Sequence, residues 1–325
     1  MPIITEAHEF HEENLFVDLR PMLHLPLYLK CEGFNFAGSI KLLSARYMVE
    51  AAERSGVLTP GRIIVESSSG NLGVALSIIA ASKGYEFVCV MDPRGNPGTR
   101  RAIEALGGTV HMVEELPREG GYLGARLNHV KLLCASDDRY FWLNQYANPA
   151  NAHAHYDRTA AAISRQFPDL RVLFVGAGTT GTLMGCARYF KQRRPWVLVV
   201  AIDAVGSVAF GGPPAPRFIP GLGTGVRPPL LDLSIVDDVR MVSEADTIRA
   251  CRQLARRGFL FGGSTGTVVS GASTWLAHHP DAVRNGCAVA IAPDLGERYL
   301  ETIYRPGWPA ETLGMEEELL AAHPV

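Results

Sequence analysis

The sequence lacks the features that mark several classes of protein. Its 325 residues carry 31 basic and 33 acidic side chains, so no excess of one charge would attract nucleic acid or an anionic membrane. No apolar run reaches the length of a membrane span, and residues 1–20 are too acidic for a secretory signal. These absences predict a cytoplasmic protein whose partners are small molecules.

Motifs for metal ions are also missing. The six cysteines show no CxxC spacing and the ten histidines no HExxH pattern. Five cysteines lie in apolar periodic segments, where we expect small buried side chains: Cys89, Cys134, Cys186, Cys251 and Cys287. The pairs His153 with His155 and His278 with His279 could ligate a metal, but we favour positions on a helix or loop surface. We therefore expect no metal.

What the sequence does contain is an alternation of strand-like and helix-like segments. The predicted strands are 62–66, 87–91, 109–113, 140–143, 172–176, 197–203 and 288–292. The predicted helices are 42–50, 72–83, 99–106, 123–135, 153–167, 182–191, 244–257 and 268–278. Short strands separated by longer helices indicate an α/β protein with parallel sheets built from βαβ units. Two such series meet in the polar stretch 144–151, and residues 211–229, rich in proline and glycine, predict a long surface or active-site loop.

Three glycine- and hydroxyl-rich turns connect an apolar segment to a helix. Residues 178–182, Gly-Thr-Thr-Gly-Thr, would present free backbone N–H groups at the positive end of a helix dipole, which suits a phosphate. Because the turn has neither the P-loop lysine nor the Gly-x-Gly-x-x-Gly spacing, we expect a single phosphate monoester. Residues 66–73, with three serines, suit a carboxylate, and residues 262–266 read Gly-Gly-Ser-Thr-Gly. Taken one at a time, each turn could be an ordinary helix cap.

Lys41, in the sequence Gly-Ser-Ile-Lys, stands at the start of a predicted helix. A positive charge is disfavoured there, and this would lower the pKa of the amine, as a nucleophilic or Schiff-base lysine requires. The alternative is a solvated surface lysine. Together with the three turns, the lysine suggests a small phosphorylated cofactor held beside an anionic substrate.

These motifs, with residues 145–151 (Gln-Tyr-Ala-Asn-Pro-Ala-Asn), resemble in order and spacing the cysteine synthase/cystathionine β-synthase family. The resemblance covers roughly residues 15 to 305. It implies fold type II, with pyridoxal 5'-phosphate as cofactor, two three-layer αβα domains with mostly parallel twisted sheets as in tryptophan synthase β, and a homodimer. A smaller mobile domain, residues 36–146, would carry the substrate carboxylate loop, and residues 1–35 with 147–325 would form the larger domain that holds the cofactor phosphate.

The resemblance also implies a role for each motif. Lys41 would hold the cofactor covalently and remove the Cα proton of the substrate. Asn71 would hydrogen-bond the ring hydroxyl, while Ser264, with Thr265 as the alternative, would face the ring nitrogen. The residues that would bind the phosphate are Gly178, Thr179, Thr180, Gly181 and Thr182. Those that would hold the substrate α-carboxylate are Ser68, Ser69 and Gln145.

A neutral serine at the ring nitrogen has a chemical consequence. It stabilises a carbanion less than an aspartate would, so expulsion of a β-leaving group competes well with reprotonation. The resemblance therefore implies β-replacement on a serine-derived substrate through an α-aminoacrylate.

The chain departs from the cysteine synthase pattern at two motifs. Ser-Ser-Gly-Asn-Leu replaces Thr-Ser-Gly-Asn-Thr, which removes one hydroxyl from the carboxylate loop, and Leu42-Leu43 replace Asp-Arg. The stretches Ser-Ser-Ser-Gly-Asn-Leu-Gly and Asn-Gln-Tyr-Ala-Asn-Pro look closer to the branch that makes N-(2-amino-2-carboxyethyl)-L-glutamate. That branch, of siderophore and antibiotic pathways, joins O-phospho-L-serine to L-glutamate as a precursor of 2,3-diaminopropionate.

A phosphate leaving group and a dicarboxylate both need cations near the site. Arg126 is the expected one, with Arg217 and Arg227 as alternatives, because guanidinium groups suit phosphate and carboxylate; Tyr146 could donate a further hydrogen bond. Three other functions stay open. They are an O-acetylserine or O-phosphoserine sulfhydrylase, a lyase or dehydratase that releases the aminoacrylate, and a ligand-binding relative without activity.

Overall fold

Ten strands form two sheets in the computed structural model, which describes residues 3–68, 70–115 and 121–315. In chain order they are β1 (Phe16–Asp18), β2 (Leu27–Cys31), β3 (Ile63–Ser67), β4 (Glu86–Met91), β5 (Thr109–Met112), β6 (Tyr140–Trp142), β7 (Leu170–Gly176), β8 (Leu198–Ala204), β9 (Asp238–Val242) and β10 (Cys287–Ala292). The smaller sheet is parallel, in the order β5-β4-β3-β6. The larger sheet has the order β1-β2-β10-β7-β8-β9, with β1 antiparallel to β2 and the other pairs parallel.

The described residues also form eleven α-helices. They are α1 (Arg20–Leu23), α2 (Lys41–Arg54), α3 (Asn71–Lys83), α4 (Pro97–Ala105), α5 (Gly121–Ser136), α6 (Pro149–Ala154), α7 (Ala161–Gln166), α8 (Gly181–Arg193), α9 (Glu244–Ala255), α10 (Gly263–His278) and α11 (Trp308–Leu313). A π-helical segment, His155–Ala160, joins α6 to α7. Within this part of the chain, no helix combines the length and the apolar character needed to cross a membrane.

The larger sheet is covered by helices on both faces. Successive side chains of a strand point to opposite faces, so Leu173 packs with Phe190 of α8 in one hydrophobic cluster. Its neighbour Phe174 packs with Val268 of α10 in another. All four side chains are fully buried, and each contributes about 2 kcal/mol of hydrophobic stabilisation.

The smaller sheet has the same three-layer construction. Ile64 of β3 packs with Leu76 of α3 on one face, and the next residue, Val65, packs with Val130 of α5 on the other. Strands buried on both faces are uniformly apolar rather than alternating, which explains the Ile-Ile-Val run of β3. The predicted α/β architecture of two αβα units is therefore confirmed.

Three strands, the short helices α1 and α11, and the helix predicted over 153–167 differ from the sequence prediction. β1, β2 and β9 were not predicted, since β1 is short and β9 reads Asp-Val-Arg-Met-Val with polar side chains at an edge of the sheet. The helix predicted over 153–167 is divided by the π-helical segment. His155, expected on a surface, is fully buried there, with Nε2 2.9 Å from Ser44 Oγ and Nδ1 3.1 Å from Thr159 Oγ1. Burial holds its pKa well below the usual value.

The topology places the predicted motifs after the carboxyl ends of strands. Ligands of parallel α/β sheets bind beyond the carboxyl ends of the strands. Lys41 follows β2, Asn71 follows β3, Gln145 follows β6 and Thr179 follows β7. The motifs therefore lie where a shared site is expected.

Candidate active site

Lys41 is the first residue of α2, and the loop after β10 holds the segment before it. The N–H of Ile40 donates to the carbonyl of Pro293 at 2.7 Å, and the N–H of Leu295 donates to the carbonyl of Gly38 at 3.1 Å. Within the described residues, the Lys41 amine makes neither a hydrogen bond nor an ion pair. Burial lowers its pKa, and the nearby Asp294 carboxylate opposes that shift. The expected direction is found, but its cause is desolvation rather than the helix dipole alone.

Asn71 begins α3, and two residues from the loop after β10 fix its side-chain amide. Its Nδ2 lies 3.4 Å from Asp294 Oδ2, and its Oδ1 accepts from the Arg298 guanidinium. Arg298 also donates to the carbonyl of Ala37 at 2.6 Å. The amide is thus oriented by residues more than two hundred positions away in the sequence.

Ser264 and Thr265 start α10 and differ in what their hydroxyls contact. Thr265 Oγ1 donates to the Asp294 backbone carbonyl at 3.0 Å and lies 3.2 Å from Asp294 Oδ1. Ser264 Oγ faces Gly221 of the long loop so closely that a Cβ at Gly221 would lie 2.0 Å from it. Because Thr265 is engaged by Asp294, Ser264 is the hydroxyl left to meet a ligand.

The turn before α8, residues 178–182, forms a candidate anion cup. Thr180 caps the helix in the left-handed conformation, φ 66°, and the backbone N–H groups of residues 178–182 make no hydrogen bonds within the described part of the chain. Asn151 Nδ2 donates to Thr179 Oγ1 at 3.2 Å and to the carbonyl of Gln145 at 2.8 Å. A Cβ at Gly181 would lie 2.2 Å from Asn151 Oδ1, so the close approach requires glycine. Asn151 connects the cup to the substrate motif.

The predicted carboxylate loop lies beside Gln145. Ser69 falls outside the described residues. Ser68 Oγ accepts from the N–H of Gly73 at 3.0 Å and so caps α3, while Gln145 Nε2 donates to the carbonyl of Ser67 at 2.9 Å. Gln145 therefore contacts the residue that precedes Ser68.

Glu66, next to the last residue of β3, holds this loop through hydrogen bonds. Its carboxylate accepts from the N–H of Ser67 at 2.8 Å, the N–H of Gln145 at 3.1 Å and Trp142 Nε1 at 2.9 Å. The side chain is fully buried, and burial raises its pKa to about 7. One buried carboxylate thus joins the two segments predicted to bind the substrate.

Arg126, in α5, is buried and lies close to the same loop. Its Nε is 3.2 Å from Asp92 Oδ2, and within the described residues the guanidinium donates no hydrogen bond. Its charge acts on the phenol of Tyr146, whose pKa burial raises to about 12, and on Cys89, whose Sγ contacts the Ser68 carbonyl at 3.1 Å. The N–H groups of Arg126 are therefore available to an anion.

The two alternative arginines are placed differently. Arg217 donates to the carbonyl of Gly206 within its own loop, and Arg227 is exposed.

Sequence reasoning missed Asp294, Arg298, Glu66 and Asn151 as parts of the site. Glu66 and Asn151 belong to the motifs 66–73 and 145–151, and Asp294 is the first charged residue beyond the apolar segment 288–292.

The chain is similar to known proteins in sequence and in structure. The chain is 40% identical over 289 residues to an N-(2-amino-2-carboxyethyl)-L-glutamate synthase of Ralstonia nicotianae, covering 87% of this chain and 84% of that protein. It is 38% identical over 286 residues to a protein of the same name from Cupriavidus metallidurans, with the same coverage. A solved structure of an O-ureido-L-serine synthase mutant with O-ureido-L-serine bound is 32% identical, with a TM-score of 0.85 over 99% of this chain and 98% of that one.

The family assignment rests on most of the chain. The sequence profile of the family of pyridoxal-phosphate dependent enzymes matches residues 16–294. This span runs from β1 to Asp294 and includes every predicted motif. The chain belongs to the family of pyridoxal-phosphate dependent enzymes.

Proposed function

We propose that this enzyme joins O-phospho-L-serine to L-glutamate by β-replacement and produces N-(2-amino-2-carboxyethyl)-L-glutamate, a precursor of 2,3-diaminopropionate. Two relatives at 38% and 40% identity carry the name of that synthase. The structural observation that carries the proposal is Arg126, a buried cation with unused N–H groups beside the substrate loop.

The residues present fit the cofactor. A pyridoxal phosphate needs a reactive amine, an anion site and polar partners for its ring, and the site offers an unpaired Lys41, the cup at 178–182 and the side chains of Asn71 and Ser264. In addition, Asn151 Oδ1 is buried without a hydrogen-bond partner at the edge of the cup, which leaves a polar atom for a ligand or its water to satisfy. We propose these residues as the cofactor site, with Lys41 as the attachment point.

The cofactor, when bound, withdraws electrons from the substrate Cα. The proton at that carbon then needs a base. The Lys41 amine suits this role because burial lowers its pKa, so a larger fraction is uncharged near neutral pH. Ser264 is neutral and buried, and it can hydrogen-bond the ring nitrogen without placing a negative charge there.

The substrate α-carboxylate is proposed to bind the loop of Ser68 and Ser69 together with Gln145. The Gln145 side chain donates one hydrogen to Ser67 and keeps a second hydrogen available for the substrate. Glu66 holds the backbone of both segments in place, so the carboxylate meets a preorganised set of donors.

Arg126 is proposed to bind the phosphate of O-phospho-L-serine. Asp92 takes the Nε side of the guanidinium, which leaves the terminal N–H groups for two phosphate oxygens. As the Cβ–O bond breaks, negative charge accumulates on the leaving phosphate, and the arginine stabilises it. Tyr146, protonated at neutral pH because its pKa is raised to about 12, is proposed as a further donor.

The two sheets support a division into a smaller domain, residues 36–146, and a larger one, residues 1–35 with 147–325. The four strands of the smaller sheet fall between Ile63 and Trp142, and the six of the larger sheet fall outside that range. We also propose that the smaller domain moves on substrate binding, and that the enzyme is a cytoplasmic homodimer.

The test is to mix the purified, pyridoxal-phosphate-loaded enzyme with O-phospho-L-serine and either L-glutamate or sulfide, and to identify the products by mass. The glutamate adduct supports the proposal. Cysteine without the adduct would establish a sulfhydrylase instead, and pyruvate with neither adduct would establish a lyase. A protein that gains no visible absorption with pyridoxal phosphate would be a relative without activity.

A further inference from the structure

Asp294 is the point at which three motifs of the cofactor site meet. Its loop binds the segment before Lys41 through the Pro293 and Leu295 backbone contacts described above, and Asp294 forms an isolated antiparallel β-bridge with Ser39. On the other side, the N–H of Gly262 donates to the Asp294 carbonyl at 3.0 Å. One backbone segment therefore links the lysine loop to the start of α10.

The Asp294 side chain adds the third motif. It is 1% exposed, and its Oδ2 accepts from Tyr299 Oη at 2.6 Å and lies 3.4 Å from Asn71 Nδ2. Its Oδ1 lies 3.2 Å from Thr265 Oγ1 and 3.4 Å from the N–H of Thr265. These donors all favour the ionised carboxylate and oppose the rise in pKa that burial causes.

The charges around Asp294 make its effect on Lys41 specific. The titratable or charged groups that face the aspartate or the lysine are Lys41, His155, Cys251, Arg298, Tyr299 and Tyr304. His155 is held neutral by burial, and burial raises the pKa values of Cys251 and both tyrosines. Asp294 is the carboxylate of this set, held by donors that favour its ionised form, and the Arg298 guanidinium donates to Asn71 Oδ1.

We propose that Asp294 is a positioning residue of the cofactor site: it orients Asn71 and Thr265, and its carboxylate supplies the negative charge that balances a protonated Lys41 nitrogen. In this arrangement Ser264 places no charge at the ring nitrogen, and the negative charge of Asp294 acts on Lys41 instead. The role is indirect, since Asp294 acts through Lys41, Asn71 and Thr265. It rests on the proposed attachment of the cofactor to Lys41.

The experiment is a pH titration of the visible absorption of the pyridoxal-phosphate-loaded full chain, without substrate. Losing the carboxylate destabilises the protonated Lys41 nitrogen, so Asp294→Asn is expected to move the midpoint to lower pH by about one unit or more. Asp203→Asn is the matched control, because Asp203 is also fully buried and lies near the end of β8 in the same sheet, where it accepts from the N–H of Ala204. The control is expected to keep the midpoint of the unmodified enzyme.

Tyr299→Phe provides a second variant if Asp294→Asn does not fold. It removes the 2.6 Å hydrogen bond to Oδ2, raises the pKa of Asp294 and is expected to produce a smaller shift in the same direction. The inference would be overturned if a folded Asp294→Asn variant had the same midpoint as the unmodified enzyme. If only Tyr299→Phe folds, an unchanged midpoint in that variant would overturn it. Lys41→Ala keeps the two proposals distinct, since a variant whose bound cofactor keeps the absorption maximum of the unmodified enzyme would refute the attachment to Lys41 instead.

Discussion

Replacing Arg126 with alanine tests the substrate assignment most directly. Arg126 is buried and paired through Nε with Asp92, and the proposal gives its remaining N–H groups to the phosphate of O-phospho-L-serine. O-acetyl-L-serine carries no charge at that position. The variant should therefore discriminate between the two substrates.

The size of the effect follows from the hydrogen bonds that the substitution removes. A hydrogen bond to a charged group contributes about 1.5–3 kcal/mol, which corresponds to roughly a ten- to hundredfold change in affinity. The 4% exposed Asp92 side chain would also be left without its arginine and would repel the phosphate. We expect KM for O-phospho-L-serine to rise by about that factor, and the double variant Arg126→Ala with Asp92→Asn to recover part of the loss in affinity.

The assay measures kcat and KM for both substrates with glutamate as the second substrate. Arg139→Ala is the matched control, because Arg139 forms an exposed ion pair with Asp137 close to the start of β6 in the same sheet. It should leave both KM values unchanged. Equal effects of Arg126→Ala on the phosphorylated and acetylated substrates would refute the assigned role.

Three further predictions follow from single residues. Lys41→Ala should move the absorption maximum of the protein-bound cofactor away from that of the unmodified enzyme, while Lys83→Ala, which breaks a surface pair with Glu53, should keep it. Gly221→Ala should weaken cofactor binding and lower stability by about 2 kcal/mol, since its φ is +113° and the added methyl would meet Ser264; Gly225→Ala, which meets nothing within 4 Å, is the control for thermal unfolding and cofactor titration. The folded-state pKa of Glu66 is raised from 4.5 to about 7, so the stability it contributes is full below about pH 4.5 and lost as pH rises to about 7, a change of about 3 kcal/mol. Glu66→Gln should remove that part of the pH dependence in urea unfolding, and identical pH profiles would contradict the assignment.

The fold was predictable because its signals are local. Strand β3 and helix α3 follow from an Ile-Ile-Val run and a continuous apolar helix, and both were found within one residue of the predicted starts. Strand β9 was missed because an edge strand with charged residues has the composition of a loop. The π-helical segment was missed because its periodicity over six residues differs little from that of an α-helix.

The motifs of the candidate site were recognisable in the sequence, but the contacts between them were not. Lys41, the cup at 178–182 and Ser264 stand in turns whose chemistry can be seen in a few consecutive residues. Glu66 gave no such signal, since a carboxylate at the end of a strand is usually solvated. Its burial depends on Trp142 and Gln145 coming from another part of the chain.

By itself, the sequence predicted the α/β units and a turn suited to a phosphate, because helix and strand periodicity and turn chemistry act over a few neighbouring positions. The resemblance of its motifs to a known family then implied the cofactor and the candidate residues for its site. Tertiary structure alone decided which groups surround those residues. Asp294 meets Asn71 across 223 positions, and Asp92 meets Arg126 through the packing of α5 on the smaller sheet. Contacts between distant residues leave no periodic pattern, so the charges beside the lysine and the arginine become visible only when the chain is folded.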